Sequence, residues 1–237
     1  MIKPSGSSHW YTRDGEPAYD ATLRDARKLD LVPSVTSIIG ILDKPAIVAW
    51  KVNTMLECAW DINGTNKESW IAEVEAKWQA ETSKAANVGT AIHDFAETYC
   101  NERKAEKVIG YEKQCALLAE WIDANIKTCT CEKSFSAMGY GGRIDAYGTL
   151  VDGRSFLLDF KTQNCKDKKA TFYPEWKWQL AAYSNYFDIM QNVIMSVVID
   201  TGDIDKIQVK VYTYDEIIEA DDIFMALKRT FYILKGL

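Results

Sequence analysis

Residues 142–163 read GRIDAYGTLVDGRSFLLDFKTQ, two apolar runs (144–151 and 156–160) joined by Asp152-Gly153. Asp-Gly between such runs is a strong local signal for a β-hairpin. Side chains alternate along a strand, so Asp159 and Lys161 project one way, and Leu158 and Phe160 the other. Asp145 lies in the first run. Two carboxylates and a lysine are costly on apolar strands unless something pairs them. A divalent cation does so, because hard cations prefer carboxylate oxygens and keep waters and substrate phosphates as further ligands. Lysine is a compact cation that can orient or deprotonate an attacking water, or stabilise charge on a phosphate. A solvated hairpin with salt bridges is the commoner fate of Asp and Lys; the apolar setting here favours the metal site.

The rest of the chain supplies layers around that hairpin. Residues 131–138 read as a preceding strand, and 193–201 and 207–214 as strands flanking Gly202-Asp203. Helical periods run over 35–42, with Ser34 as candidate N-cap and an end near Asp43, because Pro45 disfavours helix just before it. They resume over 46–59, 68–83, 85–103, 111–127, 174–190 and 215–234. Trp70, Val74 and Trp78 share a face and are assigned to core or helix contact. Residues 9–19 suggest a small hairpin about Asp14-Gly15, with Arg13 a solvated turn residue. Residues 20–31 are polar and receive no assignment; 63–65 and the lysine-rich 163–173 are loops. The expected class is α/β, a mixed central sheet flanked by helices. Residues 1–84 form an N-terminal hairpin and helical elaboration, and 85–237 the core, together one compact unit.

Gly142-Arg143-Ile144-Asp145, followed by Leu157-Leu158-Asp159-Phe160-Lys161-Thr162, resembles the core motif of the PD-(D/E)XK nuclease superfamily. It is most similar to the RecB-type exonuclease branch, found in phages and in the mitochondrial genome-maintenance exonuclease. Val88 to His93 with Glu97, Gln179 to Tyr183, and Pro33-Ser34-Val35-Thr36 through Lys44-Pro45 to Trp50 resemble the same branch, in the same order. The resemblance implies a restriction-endonuclease-like fold and a Mg²⁺- or Mn²⁺-dependent deoxyribonuclease acting from a free or single-stranded DNA end. Phage-type recombination, repair or replication is the implied setting, with a recombination or single-strand-binding protein as a further partner. Asp145, Asp159, His93 and the Phe160 carbonyl would hold the metal, and Lys161 would position or activate water. Glu97 would bind the metal through water or orient His93. Gln179, Tyr183 and Thr162 would face the DNA backbone, the alternative for Gln179 and Tyr183 being a buried hydrogen-bonding pair. Ser34, Thr36 and Lys51 are candidate backbone contacts, or else helix caps and solvated residues. Glu132 has a counterpart before the metal-site hairpin. A structure-specific or restriction-like endonuclease is the alternative within the class. Outside it stands a non-cleaving module that binds DNA or a recombination partner; the intact Asp145, Asp159, Lys161 and His93 count against that.

The formal net charge of −6 argues against coating nucleic acid by bulk electrostatics. It leaves room for a local groove whose carboxylates are neutralised by metal. No apolar run approaches a membrane span and no signal-peptide core opens the chain, so a cytoplasmic location, the host's if phage-encoded, is expected. The six cysteines, at 58, 100, 115, 129, 131 and 165, show no disulfide framework. Cys129-Thr130-Cys131 is not a zinc signature, since no second pair completes it. Some relatives hold an iron–sulfur cluster with one early and three late cysteines. No cysteine follows Cys165, so no cluster is expected.

Overall fold

The computed structural model describes residues 9–63, 66–165, 168–187, 193–202 and 206–237. Two short strands, β1 (Trp10–Tyr11) and β2 (Val32–Pro33), pair antiparallel and enclose helix α1 (Leu23–Leu29). The polar stretch without an assignment is therefore helical. Its signal is a capping box, in which the Thr22 side chain accepts from the Asp25 N–H and the Asp25 carboxylate accepts from the Thr22 N–H. Gly15, at φ 88°, makes the expected turn, but Tyr11 meets Pro17 in a single bridge; the partner strand is β2.

Helix α2 (Val35–Ile39) begins at Ser34, whose hydroxyl accepts from the Ser37 N–H at 2.9 Å. Helices α3 (Pro45–Trp60) and α4 (Lys67–Glu102) follow. The two helices expected over 68–83 and 85–103 are thus one, because nothing between Ser83 and Ala85 breaks a helix and Gly89 is tolerated inside it. Helix α5 (Glu112–Asn125) runs directly into β3 (Ile126–Ala137). That strand starts five residues before the expected 131, in a Thr- and Cys-containing stretch without apolar alternation. Strands β4 (Tyr140–Leu150) and β5 (Ser155–Gln163) form the hairpin, with Gly153 at φ 90° in its turn. Helix α6 (Pro174–Phe187), β6 (Val193–Asp200), β7 (Ile207–Tyr212) and α7 (Tyr214–Lys235) complete the chain. The expected ends at 188–190 lie outside the described residues.

The five-stranded sheet has the order β3-β4-β5-β6-β7, antiparallel except for the parallel pair β5–β6. A parallel pair needs a crossover, and α6 lies within it. The fold is mixed α/β with a mixed sheet flanked by helices. A core cluster joins Leu157, Ile194 and Tyr212 of the sheet to Ile38, Leu180 and Phe224 of α2, α6 and α7. Helix α5 buries Cys115, Leu118 and Ile122 outside that cluster and contacts β3, β6 and β7.

The chain divides into two compact units, Met1–Ile41 with His93–Leu237, and Leu42–Ile92. The expected boundary at 84 falls inside α4. Residues 9–41 belong with the sheet because Trp10, Leu31, Val35 and Ile39 are part of its core. In the second unit, the Lys77 ammonium lies 2.8 Å from Asp61, and the Trp70 indole N–H donates to the Ile62 carbonyl. Val74 is buried there, whereas Trp70 is exposed and Trp78 half-buried. Among the described residues no helix is long and apolar enough to cross a membrane.

Candidate active site

Strand β5 is the middle strand of the sheet. It pairs with β4 from Thr149↔Ser155 to Ala146↔Leu158, and there the ladder stops. The next rung would set Asp145 opposite Asp159. Instead the Asp145 Oδ2 accepts the Phe160 N–H at 2.8 Å, so a side chain takes the place of the main-chain partner. Beyond the fork β5 continues with β6 as far as Gln163↔Asp200. Two carboxylates thus sit where two strands part.

Asp159 is buried. Its Oδ1 accepts from Gln179 Nε2 at 3.3 Å, and the same nitrogen lies 3.0 Å from the Tyr183 hydroxyl oxygen. Its Oδ2 lies 2.5 Å from Lys161 Nζ, a close ion pair. Burial raises the Asp159 carboxyl to about 6; Lys161 opposes the rise and Asp145 adds to it. Burial also raises Asp145, against Lys161 and the Phe160 N–H. For Lys161, burial works against the ammonium, but Asp159 and Asp145 outweigh it and hold the lysine charged.

His93, on the last turns of α4, places Nδ1 3.5 Å from Asp145 Oδ2. The Phe160 ring meets its imidazole edge-on, with centroids 6.4 Å apart. Burial, then Lys161, lowers His93 to about 4. The side chain is 28% exposed, so solvent moderates that shift; the direction leaves a neutral imidazole at neutral pH, the form that binds metals. Glu97 is half-buried one turn further along the helix. Two carboxylates and a neutral imidazole fit a divalent cation such as Mg²⁺ or Mn²⁺. As the side chains stand, His93, Asp145 and Asp159 do not all lie within 4.8 Å of one another, since Asp159 is drawn to Lys161 and Gln179. Among the described residues the trio that does is Cys100, Cys129 and Cys131.

Gly142 of the motif is required by close approach: a Cβ there would lie 2.7 Å from Tyr183 Cε1 and 3.0 Å from Phe135 Cε1. Gly142→Ala is expected to push Tyr183 off Gln179 and to destabilise the fold by about 1–3 kcal/mol, as overpacking does. Thermal melts of the two proteins check this, and an unchanged melting temperature would show that Tyr183 moves freely.

The remaining candidates are more dispersed. Ser34 is buried and its hydroxyl is spent on capping α2, while its backbone bridges Gly141 at the start of β4. Thr36 is exposed and Thr162 half-buried. Lys51 is exposed on α3, in the second unit. Three further features stand out, the first joining Arg143 of the motif to Glu132, which has a counterpart before the hairpin. Arg143 Nε pairs with Glu132 at 2.5 Å, and Glu132 adopts a left-handed φ of 53° across from Asp145. Strained backbone of that kind clusters at functional sites. Trp176 stands 6.0 Å from the Lys161 ammonium; its place three residues before Gln179, on one helix face, was the available signal. Cys100 had none, being brought to the two strand cysteines by tertiary structure alone.

No family model matches the chain, and no curated protein matches it. Among solved structures, one described as "Crystal structure of SSO0001" is similar at 15% identity, over 58% of this chain and 84% of its own, with a TM-score of 0.28. A likeness that slight carries no argument about fold or activity.

Proposed function

We propose that the chain is a Mg²⁺- or Mn²⁺-dependent deoxyribonuclease of the PD-(D/E)XK type, with a restriction-endonuclease-like sheet, hydrolysing phosphodiester bonds from a free or single-stranded DNA end. The observation that carries it is the fork: Asp145 and Asp159 where β4 and β5 part, with a charged Lys161 at 2.5 Å from Asp159 and His93 at 3.5 Å from Asp145. Asp145, Asp159, His93 and the Phe160 carbonyl would hold the cation. Bound there, it would supply Lewis-acid polarisation of the phosphate and a more acidic water. Lys161 is held charged, which favours orienting water and stabilising phosphate charge over accepting a proton. Gln179, whose amide also reaches the Tyr183 hydroxyl, holds Asp159 in place from α6. The preference for an end, and a recombination or single-strand-binding partner, rest on the motif resemblance.

The test is a time course on end-labelled linear and covalently closed circular DNA, single- and double-stranded, with Mg²⁺, with Mn²⁺ and with chelator. Metal-dependent loss of label from linear DNA, with circles intact, is the expected result. Cut circles would move the assignment to an endonuclease. Binding without cleavage in either metal would reduce the chain to a DNA-binding module.

A further inference from the structure

Helix α4 ends over the start of β3, and two hydrogen bonds fix it there. Arg103 Nη2 donates to the Ile126 carbonyl at 2.7 Å, and the Tyr99 hydroxyl donates to Asp123 at 2.7 Å. Cys100, on the last turn of that helix, is buried. Cys129 and Cys131 lie two apart on β3 and so share a face. Opposite them β4 carries only Gly148 and Ala146, which leaves that face open to the helix. The three sulfurs lie within 4.8 Å of one another, Cys129 and Cys131 at 3.4 Å, and all three cysteines are free.

We propose that Cys100, Cys129 and Cys131 bind a single zinc(II) ion through three thiolates, at a site separate from the Asp145–Asp159 fork. Thiolates at about 2.3 Å on a tetrahedral ion stand about 3.8 Å apart, so the trio needs only small side-chain adjustments to close on one. A [4Fe–4S] cluster gives each cysteine its own iron and needs a wider spacing, and a [2Fe–2S] cluster takes four protein ligands where three cysteines stand. A disulfide would use two thiols and leave the third unused. With three protein ligands, the fourth position goes to water or an added ligand. The ion would bind the end of α4, two turns after His93, to the strand whose Cys131 pairs with Ala146, next to Asp145. Zinc would therefore act as a staple that sets the imidazole against the fork.

The test needs no DNA and so stands or falls apart from the nuclease reading. Elemental analysis of the whole chain, purified without chelator, should find about one equivalent of zinc. Replacing it with Co²⁺ should give sulfur-to-cobalt charge-transfer bands in the near ultraviolet and strong visible bands of a tetrahedral thiolate site. Cys100→Ser and Cys129→Ser should weaken both, whereas Asp159→Asn should keep both. The cobalt spectrum is read on the unaltered chain, so a variant that fails to fold does not decide the matter. A metal-free protein that takes up no Co²⁺, a mass two units low from a disulfide, iron with cluster absorbance, or zinc lost in Asp159→Asn and kept in the cysteine variants would each overturn the proposal.

Discussion

If the fork is the nuclease site proposed, Asp159→Asn is expected to lower DNA cleavage by about a thousandfold while the chain still folds. The amide keeps the shape of the carboxylate but not its charge, and metal assistance contributes several kcal/mol, each 1.36 of which is a factor of ten in rate. Folding survives because of the charge balance in the fork. With both aspartates ionised and His93 neutral, Asp145 and Asp159 face one ammonium; the substitution leaves Lys161 and Asp145 equal and opposite. The sign of the pH effect follows from burial. Asp159 is raised from 3.8 to about 6, so between those values the folded chain holds a proton that the unfolded chain has lost. Its contribution to stability is full below pH 3.8 and declines as pH rises to about 6, by an amount on the order of 3 kcal/mol. In chelator, Asp159→Asn should flatten that decline. The measurements are cleavage rates in Mg²⁺ and Mn²⁺ and melting temperature against pH. Cleavage near that of the unaltered protein would remove Asp159 from the site.

The hairpin was legible because its determinants are local: Asp152-Gly153 for the turn, and an apolar run on either side of it. The Ser34 cap and the strands 193–200 and 207–212 are local in the same way. The fork is not. Where β4 leaves β5 is decided by the Phe160 N–H turning to a carboxylate fifteen residues back, a contact with no trace in propensity. Likewise, the Cys129-Thr130-Cys131 pair looks incomplete until α4 delivers Cys100 from twenty-nine residues upstream. Helix α1 is a different case: Thr22 and Asp25 spell a capping box, but the charged residues between its few apolar ones hid the period. The N-terminal segment was set apart from the core because its short elements bury little alone. Their apolar residues complete the core of a sheet that the chain builds only a hundred residues later.

Lys161→Ala is expected to abolish turnover and to make the fold depend on metal. In the unaltered protein the ammonium is the cation nearest the buried Asp159 carboxylate, at 2.5 Å. Its removal leaves the buried Asp159 and the half-buried Asp145 carboxylates without their nearest counter-charge. Breaking a buried pair costs 3–5 kcal/mol; the low end, about 3 kcal/mol, applies because the lysine is 22% exposed. At roughly 2–4 °C per kcal/mol for a chain of this size, the variant should melt about 6–12 °C lower in chelator at neutral pH. A divalent cation supplies the missing charge, binds the folded state alone, and stabilises it by mass action. Mn²⁺ should therefore raise the melting temperature of Lys161→Ala by more than it raises that of the unaltered protein, although cleavage does not return. That combination separates the two roles at the fork, because a ligand variant such as Asp145→Asn should lose the Mn²⁺ response together with cleavage. If Lys161→Ala loses both, the lysine belongs with the metal ligands or the fold rather than with the water and phosphate. If it cleaves normally, the catalytic cation lies elsewhere.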